Sequence, residues 1–155
     1  MDNNKAMLNL LEDLLAKAIQ KGADAADAVH IESQSLSVAQ RLGNPEKLER
    51  SESSDIGLRV FFGKRQAIVS SSDSSSEALE ELIDRVISMA KVVPEDPYCG
   101  LANKEQLVTD IIDVDSFDPS EPTTETLIDW ANRAEDAARS IPGITNSEGA
   151  EAGWG

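Results

Sequence analysis

The stretch Ile56–Ser71 constrains the fold more than any other part of the sequence. Apolar side chains alternate with small or polar ones up to Phe62, a Gly-Lys pair occupies residues 63–64, and a second apolar run begins at Arg65. A two-residue loop that starts with glycine is typical of a tight type II′ β-hairpin. In that register Phe62 faces Arg65. Four apolar side chains then share one face of the sheet: Leu58, Val60, Ala67 and Val69.

Further strands are predicted before this hairpin. Val29 and Ile31 alternate with polar neighbours, and residues 43–45 (Gly-Asn-Pro) mark a turn. The stretch Glu46–Glu52 has one large apolar residue, Leu48, so a strand there is expected at an edge or in solvent. Since no helix-sized crossover separates these strands, the sheet is expected to be an antiparallel meander.

Two helices are predicted to flank the sheet. Apolar residues recur at three- and four-residue steps from Met7 to Ile19, and Gly22 can end that helix. Residues 74–77 (Ser-Ser-Ser-Glu) have the spacing of a capping box, and the apolar stripe Leu79–Ala90 after them ends before Pro94. The predicted fold class is therefore α/β of the α+β type, an antiparallel meander with a tight hairpin between an N-terminal helix and a following helix.

A second region is predicted beyond this sheet and its helices. A helix is expected from about Thr123, and a strand start at 144–145 (Ile-Thr) has no closing element after it. The side chains expected to face inward on the helix are Leu127, Trp130, Ala131, Ala134 and Ala138. We expect an N-terminal α/β domain, a Pro- and acid-rich linker and the start of a truncated second domain, at 1–93, 94–122 and 123–155. The chain is thus interpreted as the front of a longer protein.

The charge of the chain excludes several classes of partner. There are 29 Asp and Glu against 14 Lys and Arg, which gives a net charge of −15. Direct nucleic-acid binding needs clustered cations, and an anionic membrane surface would repel this chain. No apolar run approaches the roughly 18 residues of a membrane span, and no signal peptide is recognisable. A single cysteine excludes an internal disulfide, so a reducing cytoplasmic location is expected.

The histidine and cysteine content excludes a zinc site closed by Cys and His ligands within this chain, because there is one of each. His30 and Glu32 match half of a zinc deaminase motif, but the cysteine pair of the other half is missing. A cross-strand pair at the surface is the preferred interpretation of His30. Cys99 is interpreted as a small packed residue rather than an exposed thiol.

Three further motifs fail on spacing. Gly57–Lys64 superficially resembles a phosphate loop, but its interior is a strand. The acidic run Asp113–Glu121 lacks the EF-hand pattern and is interpreted as a solvated linker. The serines at 70–72 lack a nucleophile elbow. The sequence therefore predicts no catalytic, metal-binding or cofactor-binding residue in this chain, and leaves open whether the protein is an enzyme.

Four blocks stand out in chain order: Ser54–Val60 (Ser-Asp-Ile-Gly-Leu-Arg-Val), Ser70–Asp73 (Ser-Ser-Ser-Asp), Asp96–Ala102 (Asp-Pro-Tyr-Cys-Gly-Leu-Ala) and Thr145–Gly149 (Thr-Asn-Ser-Glu-Gly). Together they resemble the N-terminal region of the TldD/PmbA family, known as modulators of DNA gyrase and as metalloprotease components. The last two are similar to the PmbA (TldE) branch. Each block alone is weak, but together they span nearly the whole chain.

The resemblance implies a soluble cytoplasmic subunit that forms a heterodimer with a homologous TldD-type subunit and helps to degrade short or unfolded peptides. In that family the zinc ligands belong to the TldD-type subunit, and no residue here matches them. The expected role is a scaffold and assembly domain of a zinc-dependent peptidase. The alternatives are a non-catalytic acidic protein-binding module, such as a topoisomerase or toxin-system modulator, and an acidic α/β domain with no ligand.

Overall fold

The computed structural model describes the backbone of residues 2–155 and the side chains from residue 4 onward. Its helices are α1 (Asp2–Gln20), α2 (Ser76–Val92) and α3 (Thr124–Arg139), with a short 3₁₀ turn at Lys104–Gln106. Its strands are β1 (Ala25–Arg41), β2 (Asn44–Phe62), β3 (Arg65–Ser71) and β4 (Ala150–Trp154). Within residues 2–155, no helix combines the length and apolar character that crossing a membrane requires.

The four strands form one antiparallel sheet in the order β3-β2-β1-β4, which confirms the predicted α+β fold class. Contacts divide the chain into two compact units. The first holds residues up to Glu32 together with Ser54–Ile111, and the second holds Ser33–Ser53 and Ile112–Gly155. Each unit is made of two separate stretches of the chain, because the long β1–β2 hairpin is divided between them. Its open end belongs to the first unit, and its tip, Ser33–Ser53, belongs to the second. The domain boundaries expected from the sequence, after residues 93 and 122, differ from the boundaries of these units.

In the first unit, the β2–β3 hairpin has the predicted register. Phe62 pairs with Arg65, and the pairs Val60–Ala67 and Leu58–Val69 follow. Gly63 has a φ of 55°, the left-handed value that the first loop position of a type II′ turn requires. The Gly-Lys pair therefore fixes the register of the whole hairpin.

The core of the first unit lies between one face of this sheet and helices α1 and α2. Leu58 and Val60 of β2 are fully buried against Leu14 of α1 and Ile83 of α2. The buried side chains of α2 form the predicted stripe: Leu79, Leu82, Ile83, Val86, Ile87 and Ala90. Burying each Leu, Ile or Val side chain contributes about 1.5–3 kcal/mol, so this helix is held mainly by packing.

The opposite face of the first unit's sheet is largely open. Val29, Ile31 and Ile68 are exposed there, whereas Ala26 and Ala28 lie on the core face of β1. The larger side chains of this strand segment therefore point away from the core. Alternation in a sequence identifies two faces of a strand, but it does not establish which of them the helices cover.

Helix α2 begins one residue later than its capping-box spacing predicts. Ser75, not Ser74, is the N-cap, and its hydroxyl oxygen accepts a hydrogen bond from the backbone N–H of Ala78. Glu77 therefore lies in the first turn, where its charge interacts favourably with the helix dipole. The helix ends at Val92, which agrees with the stop predicted before Pro94.

The second unit contains the tip of the β1–β2 hairpin. Its turn is formed by Leu42 and Gly43, with φ values of 51° and 76°, so the turn lies one residue before the predicted start. The following β2 residues, Asn44–Ser53, are exposed along their whole length. This agrees with the expectation that any strand over Glu46–Glu52 is largely solvated.

The buried face of helix α3 overlaps the predicted one at Leu127 and Ala131 but is rotated away from the other predicted residues. Leu127, Ala131 and Glu135 are buried, whereas the predicted inward-facing residues Trp130, Ala134 and Ala138 are exposed: the prediction was wrong for those three. The prediction placed the large indole of Trp130 in the core. The buried face instead follows four-residue steps from Leu127, through Ala131 to Glu135.

Strand β4 corrects the expectation that the last elements lack packing partners. The strand does not start at Ile144; it occupies Ala150–Trp154 and pairs with Leu36–Gln40 of β1. Val38 of β1 packs with Leu127 of α3 in a small second core. Helix α3 and strand β4 therefore complete a unit together with the hairpin tip.

Candidate functional site

His30 lies on β1 of the first unit, with a side chain that is 13% exposed. Its Nε2 atom is 2.9 Å from Ser54 Oγ, and the Glu32 carboxylate is 3.9 Å from the same nitrogen. The predicted cross-strand pair is present, between His30 and Ser54. The imidazole ring is more buried than a pair at the surface would place it. In a Ser-His-acid triad the hydroxyl and the carboxylate engage opposite ring nitrogens, so this arrangement does not match one.

A cavity of about 260 Å³ lies beside this histidine. Its lining comprises Asn4, Met7, Leu8, Leu11 and His30. One imidazole edge and an aliphatic wall suit a small apolar group. Because the lining offers one titratable side chain, it does not supply the acid and base pair that most hydrolytic mechanisms use.

The Asp96–Ala102 block holds the β2–β3 turn. The backbone N–H of Asp96 donates to the carbonyl of Lys64 over 2.7 Å, and Lys64 Nζ donates to the carbonyl of Cys99 over 3.1 Å. Cys99 is buried, which confirms it as a packed residue rather than an exposed thiol. The block therefore stabilises the turn of the β2–β3 hairpin by hydrogen bonds.

The Ser54–Val60 block carries an ion pair on the open face of the first unit. Arg59 donates from Nε to Asp27 Oδ1 over 2.9 Å, and its Nη2 contacts the other carboxylate oxygen. The hydrogen bond that Arg59 donates to the Asp27 carboxylate raises the pKa of the guanidinium. Gly57 lies beside the pair in a depression of about 180 Å³, where an added Cβ would lie 3.2 Å from Val29. The two hydrogen bonds between Arg59 and Asp27 link β2 to β1.

The Thr145–Gly149 block belongs to a polar network in the second unit. Glu135 is 2% exposed and accepts hydrogen bonds from the backbone N–H groups of Leu42, over 2.9 Å, and Gly43, over 3.4 Å. These bonds, led by Leu42 and followed by the hydroxyl of Ser147, lower the pKa of Glu135. The carbonyl of Ser147 accepts from Arg41 Nε over 3.0 Å. The network joins α3, the hairpin tip and the segment before β4.

Glu135 and the Asp27–Arg59 pair could not be recognised from the sequence patterns. Glu135 stands four residues after Ala131 in an alanine-rich helix, so a correct helical phase would have placed this carboxylate in the core. The ion pair between Asp27 and Arg59 forms because β1 pairs with β2. Neither residue alone predicts that ion pair. Both missed features are structural contacts rather than groups arranged for a reaction.

The remaining candidate motifs do not form a metal centre. The acidic run Asp113–Glu121 consists of exposed residues outside any helix or strand, and Gly57–Lys64 is a strand and turn rather than a phosphate loop. Over the part of the chain that the structure describes, no three His, Cys, Asp or Glu side chains converge where a metal ion could bind. The side chains from residue 4 onward therefore do not fit the zinc ion of the resembled family.

Comparisons with known proteins agree with one another. Residues 26–90, which span β1 to α2, match the family described as PmbA/TldA metallopeptidase domain 1. The chain is 30% identical over 149 residues to metalloprotease PmbA of Escherichia coli O157:H7, covering 94% of this chain and 33% of that protein. It is 27% identical to the metalloprotease PmbA homolog of Haemophilus influenzae, covering 96% and 35%. The chain thus spans about a third of the length of these curated relatives.

Solved structures show the same fold. A protein named as a modulator of DNA gyrase from Bacteroides thetaiotaomicron superposes with a TM-score of 0.72 at 19% identity, over 99% of this chain and 34% of that one. TldE from Thermococcus kodakarensis gives a TM-score of 0.54 at 18% identity, over 60% and 21%. Together, the family match and the two curated relatives identify residues 26–90 as similar to domain 1 of the PmbA/TldA metallopeptidase family, and the solved structures show the same fold.

Proposed function

We propose that this chain is a scaffold and assembly domain of a PmbA/TldE-like subunit in a cytoplasmic zinc-dependent peptidase that degrades short or unfolded peptides. The observation that carries the proposal is the match of residues 26–90 to the first domain of this metallopeptidase family. Those residues form the β1–β3 sheet and α2, which build the core of the first unit.

The division of labour follows from the chemistry of the side chains. Three of the four family blocks make structural contacts. Ser54–Val60 contains an arginine that forms an ion pair across two strands, and Asp96–Ala102 bonds to the hairpin turn. Thr145–Gly149 takes part in the network around Glu135. We place the zinc ligands on a homologous TldD-type partner subunit, and assign this chain the task of shaping the assembly. Zinc bound there would activate water for peptide hydrolysis.

Co-purification tests this proposal. The natural full-length protein and the TldD-type subunit of the same organism are expressed together, and the mass of the complex is measured by size-exclusion chromatography with light scattering. We expect a stable complex that cleaves unfolded peptides and loses activity with a zinc chelator. Two separate monomeric peaks, or peptidase activity in this protein alone, would contradict the proposal.

A substitution at His30 sharpens the test. Since His30 bonds to Ser54 and is the one titratable side chain that lines its cavity, His30→Ala in the full complex should leave peptidase activity within about twofold of wild type. A large loss of activity in a well-folded complex would show that this imidazole takes part in the reaction.

The net charge of −15 favours a second candidate function, a regulatory module that binds a basic protein in place of nucleic acid. A topoisomerase or toxin-system component is the kind of target expected. Salt-sensitive binding of a purified basic target, with no complex formed with a TldD-type subunit, would support this candidate over the peptidase subunit.

A further inference from the structure

The segment Ile112–Asp118 of the second unit exposes an unusual amount of apolar surface. Its three large apolar side chains, Ile112, Val114 and Phe117, are 77%, 74% and 80% exposed. The segment forms no helix or strand. Large apolar side chains left in water are costly, and groups of them on natural proteins mark surfaces that another molecule covers. We call these seven residues the acidic–apolar segment.

Apart from the N–H of Asp115, the backbone of the acidic–apolar segment is also available for intermolecular hydrogen bonds. Within residues 2–155, the structure describes no backbone–backbone hydrogen bond for residues 112–118. Local bonds shape the segment instead: the side chain of Asp113 accepts from the N–H of Asp115, and that of Asp118 accepts from Ser120, both over 2.9 Å. Asp115 has a φ of 49°, so the chain bends between Val114 and Phe117.

The charge around these apolar side chains has one sign. The segment carries Asp113, Asp115 and Asp118, and the sequence has no Lys or Arg between Lys104 and Arg133. A covering surface must therefore be apolar at its centre and basic at its edge, since complementary charge selects the partner and speeds association. An anionic membrane is disfavoured because it would repel the carboxylates.

We propose that the acidic–apolar segment docks into an apolar groove edged by Lys or Arg on the TldD-type partner subunit. The inference rests on the proposed function, and adds to it the part of this chain that makes the contact. Ile112, Val114 and Phe117 supply the buried centre, and the three aspartates face the basic edge. Phe117, the one aromatic side chain of the segment, is its principal anchor.

Affinity measurements on the full-length protein and the TldD-type subunit test the proposal. The combined substitutions Ile112→Ser, Val114→Ser and Phe117→Ser should raise the Kd at least tenfold, because they remove the apolar centre. Asp113→Asn, Asp115→Asn and Asp118→Asn keep the side-chain oxygens that accept the local hydrogen bonds but remove the charge. That second variant should bind more weakly and show a smaller dependence of Kd on salt.

Leu48→Ser is the matched control, because Leu48 is another exposed apolar residue of the second unit. Its Kd should equal that of wild type. If the wild-type complex forms and the serine variant binds as tightly as the control, the docking inference is overturned while the proposed function stands. Absence of any wild-type complex would overturn both.

Discussion

Glu135 holds the second unit together through hydrogen bonds to one turn. Its carboxylate accepts from the N–H groups of Leu42 and Gly43, and it lies in the core beside Leu127 and Ala131. Glu135→Ala leaves those donors without an acceptor, so we expect a clearly lower urea midpoint of unfolding. Both tryptophans lie in the second unit, so tryptophan fluorescence reports on it.

Asp136→Ala is the control for this substitution, because the neighbouring carboxylate on the same helix is exposed. It should change the urea midpoint little. Equal effects of Asp136→Ala and Glu135→Ala would show that the network around the turn contributes nothing measurable to stability.

The same carboxylate makes a prediction about pH. Its hydrogen bonds lower the pKa of Glu135 below the ordinary value of 4.5, so the unfolded chain takes up this proton at a higher pH than the folded chain. The stabilisation is complete well above pH 4.5 and is lost as the pH falls through the lowered pKa. Wild type should therefore exceed Glu135→Gln in stability at pH 7 and converge with it in acid, as measured by urea unfolding at each pH.

Gly149 occupies a position that no other residue fits. Its φ is 101°, and an added Cβ would lie 2.7 Å from the carbonyl oxygen of Gln40. Gly149→Ala should therefore destabilise the second unit by more than the roughly 1–2 kcal/mol that left-handed strain alone costs. Gly153→Ala is the control, since its Cβ would meet no atom closer than 3.5 Å. Similar urea midpoints for the two variants would refute the steric argument.

At the scale of elements, the β2–β3 hairpin depends on its turn. Gly63 has a φ of 55°, and nothing lies within 4 Å of an added Cβ, so Gly63→Ala tests backbone strain without a clash. We expect a loss of about 1–2 kcal/mol in the free energy of unfolding, followed by circular dichroism because the hairpin belongs to the first unit. Gly100→Ala also meets open space but lacks a positive φ, and should be close to neutral.

Elements with a local signal could be predicted from the sequence, but the packing of α3 and β4 in the second unit could not. The Gly-Lys pair at 63–64 encodes both a turn and a register, so every pairing in that hairpin followed from it. The packing face of α3 depends on what covers the helix, and Trp130 is a large side chain that stays exposed. Strand β4 has a short, glycine-containing sequence, and it forms because Leu36–Gln40 offers a free edge.

The candidate site divides in the same way. The sequence could predict that His30 forms a cross-strand pair, since alternate residues of a strand lie on the same face and His30 shares its face with Glu32. It predicted a buried Cys99 from the lack of nearby cations. The partners of Glu135 lie 92 and 93 residues away in the chain, so a single sequence contains no signal that joins them.

At the scale of the whole molecule, the excess of negative charge opposes folding. The chain has 29 acidic and 14 basic side chains. Its ion pairs are mostly exposed, such as Lys17 with Glu80 and Lys47 with Glu49, and exposed pairs contribute little to stability. Repulsion among the unpaired carboxylates acts over longer distances and adds up across the surface, so it should outweigh the pairs.

Added salt should therefore stabilise the protein. Raising NaCl from about 0.05 to 0.5 M shortens the Debye length to a few ångströms, which weakens repulsion more than it weakens contacts at ion-pair distance. We expect the urea midpoint to rise, and urea is suitable because it is uncharged. Replacing Asp113, Asp115 and Asp118 by Asn removes three exposed charges and should reduce the rise. A midpoint that falls with salt would mean that specific ion pairs, such as Asp27 with Arg59, outweigh the net charge.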